Sequence, residues 1–570
     1  MSTHESRLIP VLRPQQQEVL LALVLVWAIF IGLFWAWWLQ PAHWAAPWGM
    51  ALNTLLLFVV TAMPAWAYFF VVRMQRVNPC SPFPVDLRLG MVVTKAPSEP
   101  WPLVRETLVA MLAQEPVHDT WLADENPSEE VLRWCVLHGV QVSTRRDDPD
   151  YHNANWPRRR RCKEGNLAYF YDHYGYERYD VVVQLDADHR PEPGYLRAMV
   201  HPFGDPEVGY VAAPSICDRN ASNSWVARGR LYAEAGLHGP QQLGHNAGFA
   251  PLCIGSHYAV RTAALAEIGG LGPELAEDHS TTLLLNSRGW RGVFAIDARC
   301  HGLGPVTFED GMVQEFQWSR SLTTILLALT PKVSSHLPSH LRWQFLYSQL
   351  FYPLRGILSV VGVVLPAVAM ASSHPWVRID YPLFLLLWVI YSLITLLPLY
   401  WLKYLGFLNP PSSPLVSWEQ MLFELTRGPW VLAGVMAACV DRICSGVHDF
   451  RVTSKQQQLR PLKLIFITPH LALACIGALS ALLLGHSAGD AKGYVLLVLI
   501  SAVSSAVAAV LVLGLDHRLK RLPLFQLGHH YATVLGVAAL VFFTAVVRHE
   551  ELRSPLQLTD ALFATPLWRP

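Results

Sequence analysis

Three acidic residues stand where short apolar runs end: Asp124 in WLADEN, and Asp186 and Asp188 in QLDADH. In an open α/β sheet, ligands bind beyond the carboxyl ends of the strands, so carboxylates in that position are placed for chemistry. Two of them at i, i+2 can share a hard divalent cation. Mg²⁺ is typically held by one or two carboxylates, with water and substrate phosphate oxygens completing its shell. The D-x-D pattern alone does not decide the matter, because two exposed acids in an ordinary turn look the same.

Positioning these residues requires strands. Leu89–Thr94, Thr120–Ala123, Val140–Thr144 and Tyr179–Leu185 read as strands with helical stretches between most of them, which predicts a mainly parallel sheet covered by helices. This polar region, residues 73–312, lies inside a chain of 570 residues that is 52% hydrophobic and only 15% charged, so much of the remainder belongs in lipid. A net charge of +1 gives no footprint for a nucleic-acid partner. The compact basic run Arg158–Arg161 reads either as a solvated loop or as a patch attracting an anionic donor or lipid headgroup. The 9 cysteines form no C-x-x-C pair, which suits reduced thiols in a cytosolic domain.

Seven apolar stretches are long enough to be expected as spans: 19–39, 50–72, 346–371, 383–402, 464–484, 494–513 and 531–547. The resulting division is a tail (1–18), two spans (19–72), a cytosolic α/β domain (73–312), an amphipathic segment (313–345), two spans (346–404), an interface helix and loop (405–463), three spans (464–547) and a second tail (548–570). With the first tail inside, the loop 41–49 outside carries no Lys or Arg, whereas the loop 403–463 inside is rich in both. The tail bearing Arg548, Arg553 and Arg569 then falls outside, against the positive-inside rule. The tryptophans Trp35, Trp37, Trp38, Trp44 and Trp48 read as an interfacial belt. Gln314–Leu329 and Trp418–Cys444, the latter interrupted at Gly428–Pro429, read as amphipathic interface segments.

Further motifs follow in order: Lys163 in KEGN, the segment CIGSHYAVR with Cys253, Gly255 and Ser256, Glu277–Asp278 in AEDH, Gln314 and Trp318 in QEFQW, and FRVTSK with Phe450, Val452, Thr453 and Lys455. With Asp124 and the D-x-D, this series resembles the membrane-embedded family-2 glycosyltransferases, the group of cellulose, chitin and hyaluronan synthases. The resemblance implies an α/β GT-A-like cytosolic domain inserted in an α-helical transmembrane domain of a multi-pass bacterial inner-membrane protein. It implies that Asp124 contacts the uridine of a UDP-sugar, Lys163 and Asp186 the nucleotide and phosphates, and that Asp186 and Asp188 hold Mg²⁺ or Mn²⁺. Asp278, beside Glu277, is then the base. Trp318, Gln314, Cys253, Gly255 and Ser256 face the growing glycan acceptor, and Phe450, Val452, Thr453 and Lys455 belong to a gating loop over the donor.

The residue types suit that chemistry. A sugar hydroxyl needs a carboxylate to take its proton as it attacks, and a departing diphosphate needs cations. Single displacement inverts the anomeric carbon, giving a β-linked product from an α-linked donor. An aromatic ring such as Trp318 matches the C–H face of a pyranose; otherwise it anchors an amphipathic helix at the interface. Two departures stand out. Gln317 replaces the Arg of the family's Q-x-x-R-W, for which Arg320 on the same helix face, or Arg451 or Lys455, would substitute; Ala276 replaces the Thr of T-E-D. His189, His279 and His301, beside the motifs, read as hydrogen-bond partners first, with metal ligation or acceptor contact as the alternative. The chain has no expected room for a C-terminal cyclic-dinucleotide domain. The expected activity is therefore processive synthesis of a β-linked polysaccharide, UDP-glucose being the expected donor, with an export partner left open. The alternatives are transfer of one sugar to a lipid carrier and, from another class, a transporter, whose repeated halves the sequence lacks.

Overall fold

The computed structural model describes residues 7–160, 162–444, 460–485, 492–520 and 528–556. The chain divides into two compact units, one of residues 1–17, 69–356 and 402–457, the other of 18–68, 357–401 and 458–570.

The first unit is built on a seven-stranded sheet: β1 (Leu89–Lys95), β2 (Asp119–Asp124), β3 (Gln141–Ser143), β4 (Val181–Leu185), β5 (Val208–Ala212), β6 (His257–Arg261) and β7 (Arg291–Phe294). Their spatial order is β7-β5-β6-β4-β1-β2-β3. Every residue of β4 and β5 is buried, as β-branched runs covered on both faces must be. The sheet is mainly parallel, as expected, with one reversal: β6 runs antiparallel to both β4 and β5. That reversal has a consequence for the site. The register pairs His257 with Leu185, so the Gly255–Ser256 turn entering β6 lies beside the Asp186 turn leaving β4. Strand β4 begins at Val181 rather than Tyr179, since Asp180 turns to accept from the Arg88 backbone N–H at 2.8 Å.

Five helices matter to the site: α1 (Lys163–Phe170), α2 (Trp225–Glu234), α3 (Glu277–Ser287), α4 (Phe308–Thr324) and α5 (Trp418–Cys444). Helix α4 starts six residues before the expected Gln314, because Thr307 and Asp310 form a capping box there. Helix α5 is continuous through Gly428–Pro429. The backbone bond that Pro429 cannot donate is tolerated because α5 is gripped along its length. A side chain at Gly434 would overlap Ser319 Oγ and the Phe316 carbonyl of α4, and one at Gly229 of α2 would meet the Glu419 carbonyl.

Most of the apolar-helix residues belong to the second unit, although the helix Ser339–Ala371 begins in the first. Among the described residues, six are long and apolar enough to cross a membrane: Pro14–Trp38, Pro47–Val71, Ser339–Ala371, Tyr381–Tyr404, Lys492–Lys520 and Gly528–Val547. The expected span 464–484 differs. It opens with a 3-10 turn, Leu464–Phe466, and its helix, Thr468–Leu484, has 17 residues. At 1.5 Å per residue that helix is about 25 Å long, short of a hydrocarbon core of about 30 Å. It packs through Ala474 and Ala478 against Ala502 and Ala506, the small-residue contact that lets helices approach in lipid. Of the expected aromatic belt, Trp48 is 90% exposed, whereas Trp38 is buried and donates to Thr54 Oγ1 at 2.9 Å.

Candidate active site

The ends of β2, β1 and β4 lie side by side and carry Asp124, Lys95 and the Asp186 turn. Lys95 Nζ is 3.0 Å from Asp124 Oδ2, and the Asn126 N–H donates to Oδ1 at 3.0 Å. Asp124 is completely buried by these partners. Lys95 was not singled out in the sequence, although its place at a strand's carboxyl end is the signal that marked Asp124.

Lys163 opens α1 and reaches across to Asp186 Oδ1 at 2.7 Å and Glu277 Oε1 at 3.8 Å. Burial opposes its charge, but the carboxylates of Asp186 and Glu277 outweigh it and hold the ammonium form. Glu277 and Asp278 occupy the first turn of α3, where unpaired N–H groups and the helix dipole favour negative charge. Asp278 accepts from two backbone N–H groups, that of His279 at 2.7 Å on Oδ1 and that of Gly255 on Oδ2. Gly255 has φ of 76°, a left-handed conformation that only glycine adopts without strain, and this turns its N–H toward Asp278.

Burial pushes the Glu277 carboxyl up to about 8, with Lys163 pulling it down and Asp278 and Asp186 pushing it further up. Burial also raises Asp278, opposed by the two backbone N–H groups and Lys163. The site is thus one cation among three carboxylates, and burial leaves Glu277 and Asp278 primed to hold or take a proton.

The second acid of the D-x-D faces inward. Asp188 is 1% exposed, accepts from the Leu303 N–H at 2.9 Å on Oδ2, and has Oδ1 at 3.5 Å from His189 Nδ1. The Asp186 N–H donates to the Ser256 carbonyl at 2.8 Å, joining the D-x-D turn to the β6 entry. The three flanking histidines are all held. His189 Nε2 lies 3.9 Å from Cys217 Sγ, His301 bridges Asp218 at 2.8 Å and Glu192 at 2.7 Å, and His279 Nε2 is 3.2 Å from Gln349.

Among the described residues, the remaining expected site residues each have partners of their own. Cys253 is buried, with its N–H on Thr282 Oγ1 at 3.3 Å. Trp318 and Gln314 both meet Arg230, whose guanidinium lies 4.3 Å from the indole centroid and donates to Gln314 Oε1 at 3.2 Å. No motif in the sequence pointed to Arg230. Arg320, expected to supply the charge missing at Gln317, donates from Nε to Asp441 Oδ2 of α5 at 2.6 Å. Phe450, Arg451, Val452, Thr453 and Lys455 lie outside the described residues.

Residues 181–408 match the family described as glycosyl transferase family group 2. The chain is 25% identical over 323 residues to the cellulose synthase catalytic subunit (UDP-forming) of Xanthomonas axonopodis pv. citri, covering 53% of this chain and 41% of that one. It is also 25% identical over 228 residues to the cellulose synthase 1 catalytic subunit (UDP-forming) of Komagataeibacter xylinus, covering 38% of this chain and 28% of that one. The match therefore spans less than half the length of either relative. Among solved structures, the mannosyltransferase PcManGT of Pyrobaculum calidifontis, in complex with GDP-Man and Mn²⁺, aligns with a TM-score of 0.41 at 16% identity, covering 69% of this chain and 99% of that one. With the α/β sheet and the strand-end acids in place, residues 181–408 carry the match to glycosyl transferase family group 2, and the chain is distantly similar to bacterial cellulose synthase catalytic subunits, with six long apolar helices among its described residues.

Proposed function

We propose that the protein is an inverting, processive hexosyltransferase that polymerises a UDP-sugar, UDP-glucose in the first instance, into a β-linked polysaccharide and passes it across the bacterial inner membrane from a cytosolic catalytic domain. The observation that carries this reading is the convergence of Lys163, Asp186 and Glu277, at 2.7 and 3.8 Å, beside an Asp278 carboxylate clamped by two backbone N–H groups. The relatives' UDP-forming chemistry supports the donor class.

In this reading the acceptor hydroxyl oxygen attacks the anomeric carbon as the bond from that carbon to the diphosphate oxygen breaks. The hydroxyl proton passes to Asp278, and UDP departs with the bonding pair. Burial makes Asp278 a stronger base than an exposed aspartate, and its two N–H donors fix the carboxylate's orientation. Lys163 stabilises the charge that grows on the diphosphate. Asp124 with Lys95 forms the wall against the uridine. Trp318 and Gln314, with Gly255, Ser256 and Cys253 behind Asp278, form the acceptor side.

Among the described residues no group of three or more His, Cys, Asp and Glu side chains is placed to hold a metal ion. The donor set instead suits a cation that arrives with the diphosphate. Asp186, whose side chain is 35% exposed, and the buried Asp188 offer oxygen ligands only, the preference of Mg²⁺ or Mn²⁺. Bound there, the ion would add Lewis-acid neutralisation of the leaving diphosphate.

The test is to incubate the protein in nanodiscs with Mg²⁺ and, separately, UDP-glucose, UDP-N-acetylglucosamine, UDP-galactose and UDP-glucuronate. A high-molecular-weight radiolabelled product from one donor supports polymerisation, and linkage-specific hydrolases then name it. UDP release accompanied only by single-sugar lipid products overturns processivity while leaving the transferase standing.

A further inference from the structure

We propose that Arg230 is a positioning residue that holds the Trp318 indole and Gln314 as one acceptor platform and ties that platform to the D-x-D turn. Trp318 as an acceptor contact belongs to the reading above, on which this inference rests.

Gln314 and Trp318 are four residues apart on α4 and so share one face of it. Arg230, from α2, spans both. Its guanidinium plane lies over the indole at 4.3 Å, and one edge donates to Gln314 Oε1 at 3.2 Å. Its Nε donates to both Glu234 oxygens, at 3.1 and 3.2 Å. The Arg230 side chain is only 11% exposed, so this cation–π contact is largely desolvated and near the strong end of its range.

Glu234 is itself held. His238 Nε2 is 3.7 Å from it, while His238 Nδ1 accepts the Ser215 N–H at 3.3 Å. An accepting Nδ1 puts the ring proton on Nε2, aimed at Glu234. Ser215 Oγ is 3.1 Å from Ser256 Oγ, and the Ser256 carbonyl accepts from the Asp186 N–H at 2.8 Å. A continuous set of contacts therefore joins the Asp186 turn to the Trp318 ring through Ser256, Ser215, His238, Glu234 and Arg230.

Two consequences follow. With one indole face covered by a guanidinium, at most one face is left for a sugar, so the ring presents itself in one way only. The ring also cannot rotate without giving up the stacked cation, which makes it a preorganised surface rather than one ordered by the acceptor. Lysine would not reproduce this, because an ammonium lacks the flat fork that stacks and bonds at once.

The experiment uses the full chain in nanodiscs, with the donor that supports turnover and a short oligosaccharide cut from the wild-type product as acceptor. Acceptor KM, kcat and UDP affinity are measured for Trp318→Ala, Arg230→Met, Arg230→Lys and Glu234→Gln. Arg230→Met is expected to raise the acceptor KM about tenfold or more while UDP affinity stays within twofold. Arg230→Lys should fall between it and wild type, and Glu234→Gln should shift KM in the same direction. If Arg230→Met does not fold, as judged by lost UDP binding, Arg230→Lys carries the test, and a KM unchanged in it overturns the proposal. An acceptor KM moved by Trp318→Ala but not by Arg230→Met overturns this inference alone. An acceptor KM unmoved by Trp318→Ala overturns the acceptor reading beneath it as well.

Discussion

Replacing Asp278 by Asn tests the chemical core of the proposal, and its expected effects can be worked from the two bonds the carboxylate makes. Asp278 Oδ1 accepts from His279 N–H and Oδ2 from Gly255 N–H. Asparagine has one acceptor oxygen and one donor NH₂, so one of the two backbone N–H groups must face another donor. Leaving a buried N–H unpaired costs about 1–3 kcal/mol, which should appear as a lower thermal or denaturant midpoint. The rate effect is larger. A positioned general base contributes about 10²–10⁴ in rate, or about 3–5 kcal/mol of transition-state stabilisation at 1.36 kcal/mol per decade. Turnover is measured as UDP release at saturating donor, alongside UDP affinity by calorimetry. The expected result is a kcat lowered by 10²–10⁴ with UDP affinity within a few fold. The wild-type pH profile should also carry an acidic limb above the usual carboxylate range, because burial raises Asp278, and the variant should lack it. A kcat within tenfold of wild type, with UDP binding intact, would refute the assignment of the base and the reasoning from its geometry.

Three other outcomes are expected. Lys163→Met leaves Asp186 and Glu277 without their cation, so UDP affinity should fall by tenfold or more and the chemical-denaturation midpoint should drop. Glu277 is protonated more readily in the folded state, about 8 against an ordinary 4.5, so its contribution to stability is complete below 4.5 and is lost as pH rises through 8. Unfolding midpoints should therefore decline between pH 5 and 8.5 less steeply in Glu277→Gln than in wild type, and an identical slope would contradict the shift. Gly434→Leu should separate α4 from α5 and lower the unfolding midpoint measured by intrinsic fluorescence, because the added side chain overlaps Ser319 and the Phe316 carbonyl.

The sequence by itself determined the strand-end acids, the four strands from Leu89 to Leu185 and most of the apolar helices. Each of these is a local property: a run of β-branched residues, an acid after it, or about twenty apolar residues in a row. It did not determine the antiparallel insertion of β6, because strand direction is set by which partner edge is open after the long excursion between β5 and β6. Yet that reversal brings Gly255 and Ser256 against Asp186 and Asp278. The shortened helix Thr468–Leu484 was hidden by an apolar run that continues through a 3-10 turn, which hydropathy does not register. Partnerships across elements were equally invisible. Lys95 with Asp124, Arg230 with Trp318 and Arg320 with Asp441 join residues far apart in the chain, and long basic side chains choose among several carboxylates only once the helices carrying them have packed. The residue types that can do the chemistry are therefore written locally. Which charge each of them faces is decided by packing, because a buried ion settles on whichever partner the tertiary fold brings within about 4 Å.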